Sequence, residues 1–78
     1  MNRSRREILG DILEVVAKQS IPTRINQTAK LNYAVMKECL VELEKLGMVF
    51  WKYGRVYLTQ NGYESITVYR GFKELFGR

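Results

Sequence analysis

The residues most able to do chemistry here are cations grouped away from any acid. Lys18, Arg24, Lys30 and Lys37 fall in the stretch from Val15 to Lys37, and Lys52 and Arg55 fall in that from Lys45 to Tyr63. Neither stretch contains an Asp or Glu. The carboxylates gather elsewhere, at Glu7, Asp11 and Glu14 and at Glu38, Glu42 and Glu44. With a net charge of +5 over 78 residues, the chemistry this favours is binding to a polyanion. The competing reading is ordinary solvated surface.

Catalysis has less to work with. There is no histidine, so Ser and Thr have no imidazole base and the lone Cys39 has no partner for a zinc site. No carboxylate pair is obviously buried. The glycines, at positions 10, 47, 54, 62, 71 and 77, are too scattered to form a phosphate loop. A binding protein with no enzymatic activity, no metal and no cofactor is expected. Cys39 sits among Met36, Leu40 and Leu43, which predicts a buried core thiol; a single cysteine also suits a reducing compartment.

The cations need elements to position them, and hydrophobic periodicity supplies these. Arg3, Arg5 and Arg6 open as a basic arm, with Ser4 and Glu7 at capping-box spacing. Ile8, Leu9, Ile12, Leu13, Val15 and Val16 then recur at helical intervals. Gly10 inside that helix predicts either close packing or a weak first turn. Pro22 disfavours helix at Ile21 and ends this first element. Thr23 is expected to cap a second helix over Arg24 to Ala29, with Leu31 plugging the turn that follows. Asn32 is expected to cap a third helix whose inward side is Met36, Cys39, Leu40, Leu43 and Leu46, stopped by Gly47. Two strand-like runs, Met48 to Lys52 and Arg55 to Leu58, flank Tyr53-Gly54 as a hairpin. Thr59 caps a final helix with Gly62 in its first turn. Tyr63, Ile66, Val68, Tyr69, Phe72, Leu75 and Phe76 spread too widely around that helix for one stripe, so part of it should pack on a second copy.

The expected fold is α+β, mainly α. It is a winged helix-turn-helix with a three-helix core, a β-hairpin wing and a C-terminal dimerisation helix over about 59–76, in one domain spanning 1–78. In such a fold the third helix enters the major groove of duplex DNA. Its outer face carries Ala34, Lys37, Glu38, Val41 and Lys45, with Asn32 and Tyr33 at its start. Only the part from Asn32 to Lys37 suits a groove, because Glu38, Glu42 and Glu44 would repel phosphate. Lys52 and Arg55 could straddle a phosphate from the hairpin, with Tyr53 between them. Of the remaining aromatic residues (Phe50, Trp51, Tyr57, Tyr63, Tyr69, Phe72 and Phe76), most are expected to fill the core rather than to stack bases. Competing readings are a winged-helix protein-interaction module docking through its last helix, and a binder of single strands or RNA.

The segments TRINQTAKLNYAVMKECLVELEKLGMV and VYLTQNGYESI resemble the small winged-helix transcriptional regulators common in archaea and their viruses and plasmids. The shared pattern is a Thr-Arg-Ile start to the second helix, a Leu-polar-Tyr opening of the third, a Leu-Gly-hydrophobic stop, and a Leu-Thr-x-x-Gly step into the last helix. The resemblance covers roughly residues 5 to 76. It implies a symmetric homodimer joined through its terminal helices, with the two third helices in successive major grooves. Asn32, Tyr33, Ala34 and Lys37 would then face the groove, and Arg24 and Lys30 would hold the backbone. Lys52, Tyr53 and Arg55 complete the expected DNA surface, while Ile66, Tyr69, Phe72 and Phe76 form the expected dimer interface. No run approaches the roughly 18 apolar residues of a membrane span, and the N-terminus lacks a signal peptide's apolar core. A cytoplasmic location is therefore expected.

Overall fold

In the computed structural model, which describes residues 4–76 with the side chains at 73 and 76 outside the description, helix α1 runs over Arg5–Val16. It starts where the capping box predicts. The Glu7 amide donates to Ser4 Oγ at 3.1 Å, and the Ser4 amide donates to Glu7 Oε1 at 2.9 Å. Arg3 of the expected basic arm lies outside the described residues.

Helix α2 spans Pro22–Ala29, and here the expected start needs correction. Pro22 is the first helical residue, Ile21 precedes it as an extended N-cap with no side-chain bond, and Thr23 lies inside the helix. Proline's fixed φ suits the first helical position, where its missing N–H leaves nothing unpaired. Lys30 ends the helix in the left-handed region at φ 57°, reversing the chain so that half-buried Leu31 packs against the core.

Helix α3 spans Tyr33–Lys45 behind Asn32, whose Oδ1 accepts from the Ala34 amide at 2.8 Å. Met36, Cys39, Leu40 and Leu43 are buried as the periodicity predicts, but Leu46 is exposed. Leu46 is the C-cap, so the chain leaves the helix before that position can turn inward. Gly47 follows at φ 76°.

Strand β1 (Val49–Lys52) pairs antiparallel with β2 (Arg55–Leu58), placing Val49 opposite Leu58, Phe50 opposite Tyr57, Trp51 opposite Val56 and Lys52 opposite Arg55. Tyr53 and Gly54 have φ of 51° and 74°. Two left-handed central residues match the right-handed strand twist of a two-residue hairpin. The wing is fixed at its base. The Val56 amide donates to Ser20 O at 2.9 Å, tying β2 to the segment before α2, and the Thr59 amide donates to Met48 O at 3.0 Å.

Helix α4 spans Gln60–Phe76. Thr59 begins it as expected, since its Oγ1 accepts from the Gly62 amide at 3.0 Å while its hydroxyl donates to Gly47 O at 2.6 Å. One core joins all these elements: Ile12, Leu13 and Val16 from α1, Ile25 from α2, the four buried α3 residues, Val49, Val56 and Leu58 from the wing, and Ile66 from α4. Each such side chain contributes about 1.5–3 kcal/mol on full burial. Gly10 explains how α4 approaches α1. A Cβ there would sit 2.5 Å from Tyr69 Cε1 and Cζ, so the glycine is a seat for the Tyr69 ring.

The expectation that most of the aromatic residues fill the core is overturned. Phe50, Trp51, Tyr57, Tyr63 and Phe72 are exposed, and none of the buried core residues is aromatic. Phe50 and Tyr57 lie on the wing face opposite Val49, Val56 and Leu58; Trp51 shares the inner face yet stays 39% exposed, and Tyr63 and Phe72 are exposed on α4.

Candidate nucleic-acid interface

Two groups of cations and aromatic side chains stand clear of the core. The first is the N-terminal tip of α3. Tyr33, Ala34 and Lys37 are exposed there, and Lys37 Nζ lies 5.9 Å from the centroid of the Tyr33 ring. Residues four apart on a helix are surface neighbours, so this contact follows from sequence spacing. Asn32 begins the tip, but its carboxamide oxygen is engaged as the helix cap, leaving its amide group as the part able to donate outward. Lys30 is exposed in the turn before it, and Arg24 is exposed on α2, whose buried face is Ile25 and Ala29.

The acids of α3 divide in an informative way. Glu42 is bound by Arg5 of α1, with Nη2 to Oε1 at 2.7 Å and Nε to Oε1 at 3.2 Å. This pair raises the Arg5 pKa above its ordinary value, through the hydrogen bond first. It turns one carboxylate of the C-terminal half of α3 back toward α1. Glu38 remains exposed beside Lys37 and ends the acid-free part of α3. Cys39 is fully buried, and burial pushes its thiol pKa up, which makes it a packing residue and a poor nucleophile.

The second group is the wing. Tyr53 is 93% exposed at the hairpin tip, and Lys52 Nζ lies 5.8 Å from its ring centroid. Lys52 and Arg55 are cross-strand partners, and like charges directly opposite are destabilising unless something anionic lies between them. The bond from Val56 to Ser20 sets Arg55 beside the chain that enters α2. Among the described residues, Arg24, Lys30, Lys37, Lys52 and Arg55 take part in no ion pair.

Sequence reasoning missed three features. The exposed Phe50–Tyr57 pair stacks with ring centroids 5.6 Å apart and an interplanar angle of 30°; period-2 alternation across a two-residue turn could have placed the two on one face, but not told that the face is the outer one. The left-handed Lys30 carried none, since lysine has no preference for that conformation. The Arg5–Glu42 pair joins residues far apart in the chain and had no local mark.

The expected dimer residues separate. Ile66 is 3% exposed and belongs to the domain's own core, so its assignment to an interface is corrected: α4 uses that side to pack on its own domain. Tyr69 is half-buried against Gly10, its hydroxyl donating to Asp11 Oδ1 at 3.0 Å and Glu7 O at 3.3 Å. Phe72 is exposed, and the Phe76 side chain lies outside the described residues. Val68 and Leu75, 72% and 82% exposed, continue the outward stripe. Val68, Phe72, Leu46 and Met48 line an apolar groove of about 980 Å³ between α4 and the start of α1.

Among the described residues, no group of His, Cys, Asp and Glu is placed to hold a metal ion, and no helix is long and apolar enough to cross a membrane. A family model described as a winged helix-turn-helix matches residues 2–76. No curated protein matches the chain.

Proposed function

The chain belongs to the winged helix-turn-helix family, and from that premise we propose that it is a sequence-specific regulator of transcription that binds duplex DNA as a homodimer. Membership itself points to DNA binding in general. The observation that carries the finer reading is the exposed tip of α3, where Tyr33, Ala34 and Lys37 present a small, cationic surface. Arg24 and Lys30 flank it, and Lys52, Tyr53 and Arg55 extend it through the wing.

In this reading the tip enters the major groove, with Tyr33, Ala34, Lys37 and the Asn32 amide meeting base edges. The five cations neutralise phosphates and supply most of the affinity. Titration of duplex DNA across a salt series tests this directly. The logarithm of affinity should fall against that of salt with a slope of about −0.9 per neutralised phosphate, or roughly −4.5 for five contacts per copy. A flat dependence removes the proposal.

The apolar groove favours a second reading, a protein-interaction module with no nucleic-acid role. Exchanging Lys37 and Arg55 for Glu separates the two. Duplex binding collapses under the first reading, whereas docking through α4 survives under the second.

A further inference from the structure

The aromatic pair on the outer face of the wing has no use in the duplex reading, which takes only Lys52 and Arg55 from that face. Register and alternation place Phe50 and Lys52 of β1 and Arg55 and Tyr57 of β2 on one side, with the ring pair next to the cation pair. Along the strand the two pairs are about 7 Å apart, a separation on the scale of one nucleotide from base to phosphate. The Phe50 and Tyr57 rings lie 5.6 Å apart and 30° from parallel, yet remain 41% and 37% exposed. A stacked aromatic pair left in water forgoes burial that would stabilise it. Its surroundings are complementary to a polyanion, because no Asp or Glu occurs from Lys45 through Tyr63.

We infer that this face is a stacking platform for single-stranded DNA, with Phe50 and Tyr57 receiving unpaired bases and Lys52 and Arg55 the flanking phosphates. Base faces are covered by their neighbours in a duplex, so only an unpaired strand can use the rings, and stacking accepts any base. The choice of DNA over RNA rests on the duplex reading of α3: the strand within reach of the wing is one opened beside the site that α3 holds. The platform shares Lys52 and Arg55 with the duplex reading, but its rings are not part of that reading and the α3 tip is not part of the platform. Substitutions at the rings and at Lys37 therefore make the two fail separately.

The test is fluorescence anisotropy of the full chain with a labelled thymidine homopolymer, a uridine homopolymer of equal length and a blunt duplex. Phe50→Ala and Tyr57→Ala should each weaken thymidine-homopolymer binding between about fivefold and about 150-fold, while leaving duplex affinity within about twofold. Phe50→Trp should retain binding, since it keeps a stacking ring. Lys37→Glu should abolish duplex binding and spare the homopolymer. Should an alanine variant misfold, proton NMR of the unaltered chain decides: Phe50 and Tyr57 ring resonances shift upfield on adding the homopolymer if bases stack on them. Unmoved rings, a double alanine variant that binds like the parent, or tighter binding of the uridine homopolymer would each overturn the inference. So would a change in sedimentation on removing both rings, which would mark this face as a contact between copies.

Discussion

Among single residues, Tyr69 carries the clearest dependence on pH. Burial first, and then its hydrogen bond to Asp11, push its pKa up to about 12. A phenol whose folded pKa lies above its unfolded value of about 10 contributes stability that is complete below that value and lost as pH rises toward 12. Tyr69→Phe removes the bonds to Asp11 and Glu7 and should cost about 0.5–1.5 kcal/mol at neutral pH. Melting curves of the two proteins should therefore converge above about pH 10 as the parent loses its advantage. Curves that coincide at neutral pH would mean the hydroxyl bond contributes nothing, and a constant offset through high pH would mean folding does not raise the phenol's pKa. Gly10 gives a sharper test, because two effects predict opposite signs. Helix propensity alone makes Gly10→Ala stabilising by about 1 kcal/mol. The added methyl, however, would meet the Tyr69 ring at 2.5 Å, and displacing a packed ring costs about 1–3 kcal/mol. Packing should win, so denaturant titration should show a lower midpoint. Neither residue's role was legible in advance: sequence left Gly10 open between close packing and a weak turn, and only the tertiary approach of α4 decides between them.

Elements were more legible where a local signal coincides with a periodic one. Helix α3 has both, a capping Asn32 and a stopping Gly47 around a 3.6-residue stripe, and it forms over Tyr33–Lys45. The wing was equally readable, since two β-prone runs flank a turn able to take positive φ. Helix α2 was misread at its start because Pro22 signals both the end of one helix and the beginning of the next. Leu46 was misassigned because a period gives an angle around the axis and says nothing about where the helix stops. Phe50 and Tyr57 were misassigned for a related reason: their type favours strands, but a two-stranded wing buries one face only, and which face is a tertiary fact. Two substitutions test the joints between these elements. Thr59→Ala removes both the cap on the Gly62 amide and the bond to Gly47 O, and should destabilise by about 1–2 kcal/mol in chemical denaturation. Tyr53→Asn replaces an aromatic residue at φ 51° with one that tolerates the left-handed region, and should stabilise by a few tenths of a kcal/mol. If stability instead falls, the Tyr53 ring has a folded-state partner in Lys52 that outweighs the backbone gain.

Over the whole molecule, what remains is the apolar surface that one copy does not bury. Val68, Phe72 and Leu75 follow one another at intervals of four and three along α4, the spacing of a single helical stripe. Ile66 turns the opposite way, into the domain, and Tyr69 lies at the edge between the two sides, bonded to α1 and lining the same groove as Val68 and Phe72. Helix α4 thus has one side committed to its own fold and another facing outward beside the groove lined by Leu46 and Met48. The proposed homodimer uses that outward side, and it makes a coupled prediction about DNA. Val68→Asp with Leu75→Asp changes exposed positions, so thermal stability of the separate chain should shift by no more than about 0.5 kcal/mol per site. Two added charges on the stripe should nonetheless drive the protein to monomer in sedimentation at tens of micromolar. Binding to a two-half-site duplex should then fall to that of a single half-site, with the salt slope roughly halved because half the phosphate contacts are lost. Loss of the dimer with an unchanged slope would mean that the two copies never shared the duplex, and would leave α4 as a docking surface independent of DNA. A parent chain that is itself monomeric at that concentration would remove the homodimer from the proposal while leaving the α3 tip to be judged by its own substitutions.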